Sequence, residues 1–410
     1  MEGVSNSIMS ANELLVLLGV IGVVGIIGGW LSEKIKVPDV VIYLILGMLA
    51  GPLFFNIINI KTFPVANELI LNFGSAFVLY QGGREIKLKV LNQVKVTVGL
   101  LATLGVFISM VTVAVGVFFI FKIPISKCLL LGAIIASTDP ASLIPIFNQV
   151  PIFNKLKQTI ISESAFNDAA GAILVTSLIS TILSGQVTLG KSLLQLVVMA
   201  VVGIGVGSIV SLIGESLSSE KNFGIFREFS PIISVLSVVF AYEITEGLKG
   251  SGYMAVFIAG LISGNKKQFG LWTPEESFVS GEHFRENIST LSRMAIFLVL
   301  GTQVEVHALL KYGLRAFGIV LILMFIARPL VVLTCTFPDR KAKWRKNEIL
   351  FMMWVRETGV IPAALSGMVV SLKITNYEMI SSVVFMTILI TLLLQASTTK
   401  WVAKKLKVLE

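Results

Sequence analysis

Ala136-Ser137-Thr138-Asp139-Pro140-Ala141-Ser142-Leu143-Ile144-Pro145 lies in the middle of an apolar run covering 126–148, and its reading decides the fold. Proline removes a backbone donor and disfavours the α conformation at the residue before it. Pro140 therefore frees backbone groups beside Thr138 and Asp139. In a soluble loop such a stretch would be ordinary; the rest of the chain says that its solvent is a bilayer. Of 410 residues, 55% are hydrophobic and 14% charged, with a mean hydropathy of +0.89. Soluble domains carry about 25% charged residues. A membrane span needs ~20 apolar residues, so roughly a dozen spans use most of this chain. The composition excludes a soluble globular protein, a disordered chain and a secreted disulfide scaffold. Freed carbonyls in mid-membrane must then line a wet site or be covered by protein.

Thirteen apolar segments run near 12–32, 38–55, 66–83, 94–121, 126–148, 157–184, 189–214, 229–247, 250–265, 285–304, 308–337, 347–371 and 378–399. They are sustained runs rather than alternating ten-residue strands, which excludes a closed barrel and predicts an all-α polytopic membrane protein. With the N-terminus outside, inner loops carry 23 Lys and Arg against 8 in outer loops. That bias predicts an odd helix count and a cytoplasmic C-terminus. It also accounts for the net charge of +9 without nucleic acid. The run from Arg340 to Lys346 marks an inner loop, with anionic-lipid binding as its other reading. The first run lacks a basic n-region and a small-residue cleavage site, and reads as a permanent span. Cys128 and Cys335 lie in apolar segments and read as packing residues; Gly203, Gly205 and Gly207 read as helix-packing positions. No soluble regulatory domain is expected.

Six ionisable residues sit well inside these segments: Asp139, Glu163, Asp168, Arg328, Arg356 and Glu357. Each costs roughly 2.5–3.5 kcal/mol at the bilayer centre unless it meets a partner or a cavity. Two bases can neutralise only two of the four acids. At least one acid is therefore protonated, hydrated or bound to a cation. The sixth segment carries Glu163-Ser164-Ala165-Phe166-Asn167-Asp168. On a helix Glu163 and Asn167 share one stripe, Ser164 and Asp168 the next, and the two acids stand about 140° apart. They are free to take different tasks. Carboxylates, hydroxyls and freed carbonyls are hard oxygen ligands suited to small alkali cations, and no soft Cys/His cluster accompanies them. The twelfth segment, Val355-Arg356-Glu357-Thr358-Gly359-Val360-Ile361-Pro362, is also interrupted. Paired broken helices in matching positions point to a transporter's binding site between two inverted repeats, here 12–184 and 229–400 with a linking helix at 189–214.

Thr138-Asp139-Pro140, Glu163-Ser164 with Asn167-Asp168, Ala327-Arg328-Pro329 and Gly359-Val360-Ile361-Pro362 together resemble the cation/proton antiporter superfamily in its NhaP/NHE branch. The resemblance covers nearly the whole chain. It implies an NhaA-like fold of thirteen helices, a homodimer, and exchange of a monovalent alkali cation for a proton by alternating access in the cell membrane. Asn167 before Asp168 implies the electroneutral, one-for-one branch. The resemblance further implies that Asp168, Asp139, Ser164 and Thr138 coordinate the cation, and that Glu163 pairs with Arg328 with Asn167 in support. Two positions depart from the pattern. Gln81 stands where some relatives have an acid, and Thr358 stands where many have an arginine, with Arg356 and Glu357 just before it. An internal Arg356–Glu357 salt bridge and an effect on selectivity are both open at this stage.

The expected cargo is sodium, with lithium or potassium as alternatives, and no cofactor is expected. A sodium-coupled symporter of an organic anion is the competing transporter reading. An intramembrane enzyme is a third; the chain lacks H-E-x-x-H and a buried Ser/His pair, and its two histidines are peripheral.

Overall fold

In hydrocarbon every backbone N–H and C=O must find a partner within its own segment, so long apolar runs become helices. The computed structural model describes residues 2–35, 37–52, 54–60, 63–139, 143, 147, 150–184, 189–219, 225–271, 275–304 and 306–410. In chain order the helices are α1 (Glu2–Ile35), α2 (Asp39–Ala50), α3 (Pro64–Glu85), α4 (Leu88–Phe121), α5 (Ile125–Ile134), α6 (Asn154–Ser184) and α7 (Leu189–Ser218). There follow α8 (Ser230–Gly247), α9 (Gly252–Gly264), α10 (Glu275–Thr302) and α11, which runs from Val306–Ile322 through a wide turn at Leu323–Ala327 into Arg328–Thr336. The chain closes with α12 (Lys346–Trp354), α13 (Val360–Ser371) and α14 (Tyr377–Leu406). Each of the thirteen expected segments holds a helix, and the twelfth holds two, α12 and α13. Seven described helices are long and apolar enough to cross a membrane; α2, α5, α9 and most of α13 are shorter apolar helices.

The broken segments are the two that the sequence marked. α5 stops at Ile134, where Ile135 leaves helical geometry, and Thr138 and Asp139 lie outside any helix. Pro140, named above as the cause, lies outside the described residues. α12 stops at Trp354; 355–359 lies outside any helix, and α13 restarts at Val360. Pro362 falls in the first turn of α13, where the missing N–H costs nothing.

Packing sorts the helices into two groups. α1, α2, α3 and α7–α10 contact chiefly one another, as do α4, α5, α6 and α11–α14. Within the first group small residues allow close approach: a Cβ on Gly260 would strike the Tyr80 carbonyl, and one on Gly207 the Ala255 carbonyl. Gly203 likewise faces Ser251, whereas Gly205 faces open space.

Helix ends also segregate. The C-terminal ends of α3, α7 and α9 meet the N-terminal end of α10 through Arg84, Glu215, Ser263, Lys266 and Glu282. At the same end Lys155 pairs with Glu348, and Asn154 meets Glu410. At the other end Lys127 reaches Asn376 and Gln303 reaches Asn67. These pairings follow the alternation of an odd-numbered bundle. The stretch from Lys266 holds a short 3-10 turn at Lys266–Phe269, and α10 begins at Glu275.

Candidate functional site

A broken helix leaves carbonyls without partners, and each one buried in hydrocarbon is costly. Arg328 and Arg356, both buried, answer this. Arg356 donates through Nη2 to the carbonyls of Ile135 (2.7 Å) and Ala136 (2.8 Å), at the negative end of half-helix α5. Arg328 donates through Nε to the Met352 carbonyl (2.8 Å) and through Nη2 to that of Val355 (3.2 Å), at the negative end of α12. Gln395 on α14 takes the Trp354 carbonyl at 2.5 Å. The two non-helical segments then join directly, the Asp139 N–H donating to the Glu357 carbonyl at 2.9 Å.

Glu163 and Arg328 form a buried two-pronged ion pair, Nη1 to Oε1 and Nη2 to Oε2, the latter at 3.0 Å. A bidentate Arg–carboxylate pair is a strong, geometrically demanding contact. Its burial removes Glu163 from the acids available to bind an ion.

Asn167 acts on the other break. Its Oδ1 accepts the Thr138 N–H at 3.0 Å and its Nδ2 donates to Thr138 Oγ1 at 2.9 Å. The expected support of the Glu163–Arg328 pair by Asn167 is therefore not what its amide does: both ends of the amide are taken by Thr138, because the non-helical backbone there needs a partner. The Thr138 hydroxyl also meets the Ser164 hydroxyl at 2.6 Å. Thr138 and Ser164 are thus brought together beside Asp168, one turn further along α6.

Asp168 is 1% exposed, and neither of its carboxylate oxygens has a hydrogen-bond partner among the described residues. Asp139 and the Ser137 hydroxyl are the groups that act on it electrostatically. Asp139 is buried at the N-terminal end of α13, where the half-helix dipole favours an anion. Gly359 makes that placement possible, since a Cβ there would overlap the Asp139 carboxyl group. This gives the twelfth-segment glycine a physical reason that spacing alone could not supply.

The Arg356–Glu357 salt bridge left open above is absent. Arg356 is occupied by the carbonyls and reaches Thr358 Oγ1 at 3.5 Å, while both oxygens of the fully buried Glu357 lack a hydrogen-bond partner among the described residues. Gln81 also stands apart from Asp168: its Nε2 faces Glu282 Oε1 at 3.5 Å.

Gln81 leads to a charged network that sequence reasoning missed. Arg84 and Arg285 both bind Glu282 Oε2, at 2.7 and 3.1 Å. Arg84 also donates to Ser263 Oγ at 2.5 Å, and Ser263 donates to Glu215, which meets Lys266 at 3.5 Å. Burial would raise the Glu282 pKa, but the two guanidiniums outweigh it and hold the carboxyl at about 2. These residues lie at or just beyond the ends of the apolar segments, where a hydropathy reading sees only loop charges.

A cavity of about 630 Å³ opens between the two helix groups at the end opposite this network. Asn67 of α3, Gln303 beyond α10, Ala308 of α11, Ala363 of α13 and Tyr377 of α14 line it.

A family profile described as "Sodium/hydrogen exchanger, transmembrane" matches residues 20–405. A protein of Methanocaldococcus jannaschii named probable Na(+)/H(+) antiporter 2 is 30% identical over 402 residues, covering 90% of this chain and 92% of its own. The K(+)/H(+) antiporter NhaP of Alkalimonas amylolytica is 28% identical over 403 residues, covering 97% of this chain and 67% of its own. Among solved structures, the sodium proton antiporter MjNhaP1 from Methanocaldococcus jannaschii at pH 8 superposes with a TM-score of 0.81 at 26% identity. That match covers 96% of this chain and 99% of the other.

Proposed function

This chain belongs to the sodium/hydrogen exchanger family, and we propose that it trades one sodium ion for one proton at Asp168. As a family member it is a multi-pass cation/proton antiporter and not an enzyme. The relatives reported above carry cation/proton exchange in their names, so organic-anion symport is not favoured.

The observation that carries the site assignment is the pair of buried, unpartnered Asp168 oxygens beside Thr138, Ser164 and Asp139. A buried carboxylate in such a position is stable only when it holds a proton or a cation. Both bind the same oxygens, so they compete. At low pH the proton excludes the cation; at high pH too few protons return. Asp139, Ser164 and the backbone of Thr138 complete the ligand set, while Glu163, Arg328 and Asn167 hold the two breaks in place. Asn167 is neutral and engaged with Thr138, which supports one exchanged charge per cycle. The cavity between the helix groups supports access from one side at a time, with one group moving against the other. The charge bias supports an outer N-terminus, a cytoplasmic C-terminus and an inner or plasma membrane location. A homodimer belongs to the same reading.

Purified protein in proteoliposomes tests it. Sodium, lithium and potassium gradients are imposed in turn, with and without a membrane potential, on the wild type and Asp168→Asn. Sodium-driven proton movement, insensitive to potential and lost in Asp168→Asn, is the expected result. Retained exchange in that variant refutes the site, a steep dependence on potential refutes the one-for-one ratio, and a preference for potassium refutes the cargo.

A further inference from the structure

Ser137 is absent from the ligand set above, yet its position sets it apart. Ser164, Asp168 and Gly171 are spaced i, i+4 and i+7, so they form one stripe on α6. The non-helical segment after α5 runs along this stripe. At one end Thr138 Oγ1 meets Ser164 Oγ at 2.6 Å. At the other, a Cβ on Gly171 would stand 3.3 Å from the Ser137 Cβ and 3.6 Å from its Oγ. Asp168 lies between these two contacts. Gly171 leaves just enough room for the Ser137 side chain to lie flat against α6.

The Ser137 hydroxyl is fully buried and has no hydrogen-bond partner among the described residues. A buried hydroxyl in that condition is expensive, and most serines in helical bundles avoid it by bonding back to a carbonyl one turn earlier. Ser75, Ser218 and Ser234 do so in this chain. Ser137 cannot, because the helix has already ended at Ile134. The Ser137 hydroxyl acts on Asp168, whose oxygens likewise lack a partner among the described residues. A hydroxyl oxygen and a carboxylate left unsatisfied along one stripe are the kind of oxygen donors that one shared cation would take.

We propose that the Ser137 hydroxyl is a further oxygen ligand of the transported alkali cation, on the side of Asp168 away from Ser164, and that it helps to set cation selectivity. The inference rests on Asp168 being the exchange site. Ser164 with Thr138 and Ser137 with Gly171 then fix the two walls between which the ion fits. Moving either wall by a few tenths of an ångström changes the size of cation that is preferred.

The test measures KM and kcat for sodium, lithium and potassium at one pH in proteoliposomes, for the wild type, Ser137→Ala and Gly171→Ala. Loss of one charge-assisted ligand is expected to raise KM for the preferred cation roughly ten-fold with kcat little changed. It should also change the ratios of KM among the three cations, which a packing role would not do. Gly171→Ala presses on Ser137 and should change the same ratios by a smaller factor. Wild-type KM values and ratios in Ser137→Ala, or an equal rise for all three cations, overturn the inference. If Ser137→Ala fails to fold, unchanged ratios in Gly171→Ala overturn it. Failure of the wild type to exchange any alkali cation sinks the exchange reading and this inference together. Wild-type exchange with indifferent Ser137→Ala sinks this inference alone.

Discussion

Gly359→Ala tests the geometry of the crossing most sharply. The glycine's φ is −150°, a value open to any residue, so the effect rests on contact and not on backbone torsion. An added Cβ would overlap the Asp139 carboxyl group and stand 2.6 Å from the Asp139 Cβ. Ordinary contact between such atoms is about 3.5–4.0 Å, so one partner must retreat by roughly 1 Å. Asp139 cannot retreat freely, because its N–H is tied to the Glu357 carbonyl two residues before the substitution. Overpacking of this kind costs about 1–3 kcal/mol of stability. A displacement of roughly 1 Å at a reacting centre can cost about 10²-fold in rate. Sodium-driven exchange at saturating sodium should therefore fall by about 10²-fold, with a lower melting temperature of the purified protein. Gly367→Ala is the control: it lies in the same half-helix, and its added Cβ meets nothing within 4 Å. A Gly359→Ala protein with wild-type rate, KM and melting temperature would refute the placement of Asp139 against the start of α13.

Other substitutions separate structural from ion-handling charges. Glu163→Gln strands the Arg328 charge in the interior and is expected to cost about 3–5 kcal/mol, read as loss of folded protein on heating. Asp168→Asn, by contrast, should fold and fail only in exchange. A double-mutant cycle on Arg356→Met and Glu357→Gln should give a coupling below about 0.5 kcal/mol in thermal stability, because the two side chains are not paired; a larger coupling would reinstate the salt bridge. Glu282→Gln removes a carboxyl held at about 2 by Arg84 and Arg285. Because the folded-state value is depressed, its contribution is complete above the ordinary carboxylate range of about 4.3 and lost as pH falls toward 2. Wild type should lose stability through that window and Glu282→Gln should lose less; parallel melting curves would rule out the contribution.

Much of this site could be seen in the sequence because bilayers make charge conspicuous. Asp139, Glu163, Asp168 and Arg328 stood out because each is costly in hydrocarbon, and the two proline-marked interruptions stood out against continuous apolar runs. Less could be seen where the signal was local geometry. Gly359 reads as any other glycine until Asp139 is placed against it. Asn167, which the family resemblance places in support of the Glu163–Arg328 pair, turns its amide to Thr138 instead, a need created only when α5 ends early. Ser137 was quoted in the broken stretch without a role, since a lone hydroxyl carries no cost until it is buried without a partner. The Arg84–Glu282–Arg285 network escaped because it is assembled from four helix ends that are remote in the chain.

Composition and pattern alone therefore determined the solvent, the helical class, the number of segments and the surplus of acids over bases inside them. These follow from one-dimensional constraints: how many apolar residues cross a bilayer, and what an unpaired charge costs there. Only the tertiary structure decided which acid each arginine serves. Glu163 is paired with Arg328, Arg356 is spent on the carbonyls of α5, and Asp168 is left with oxygens that nothing among the described residues satisfies. The reason is geometric. An ion pair or a hydrogen bond is settled within about 3 Å and by direction, and in a bundle those distances are set by helices far apart in sequence.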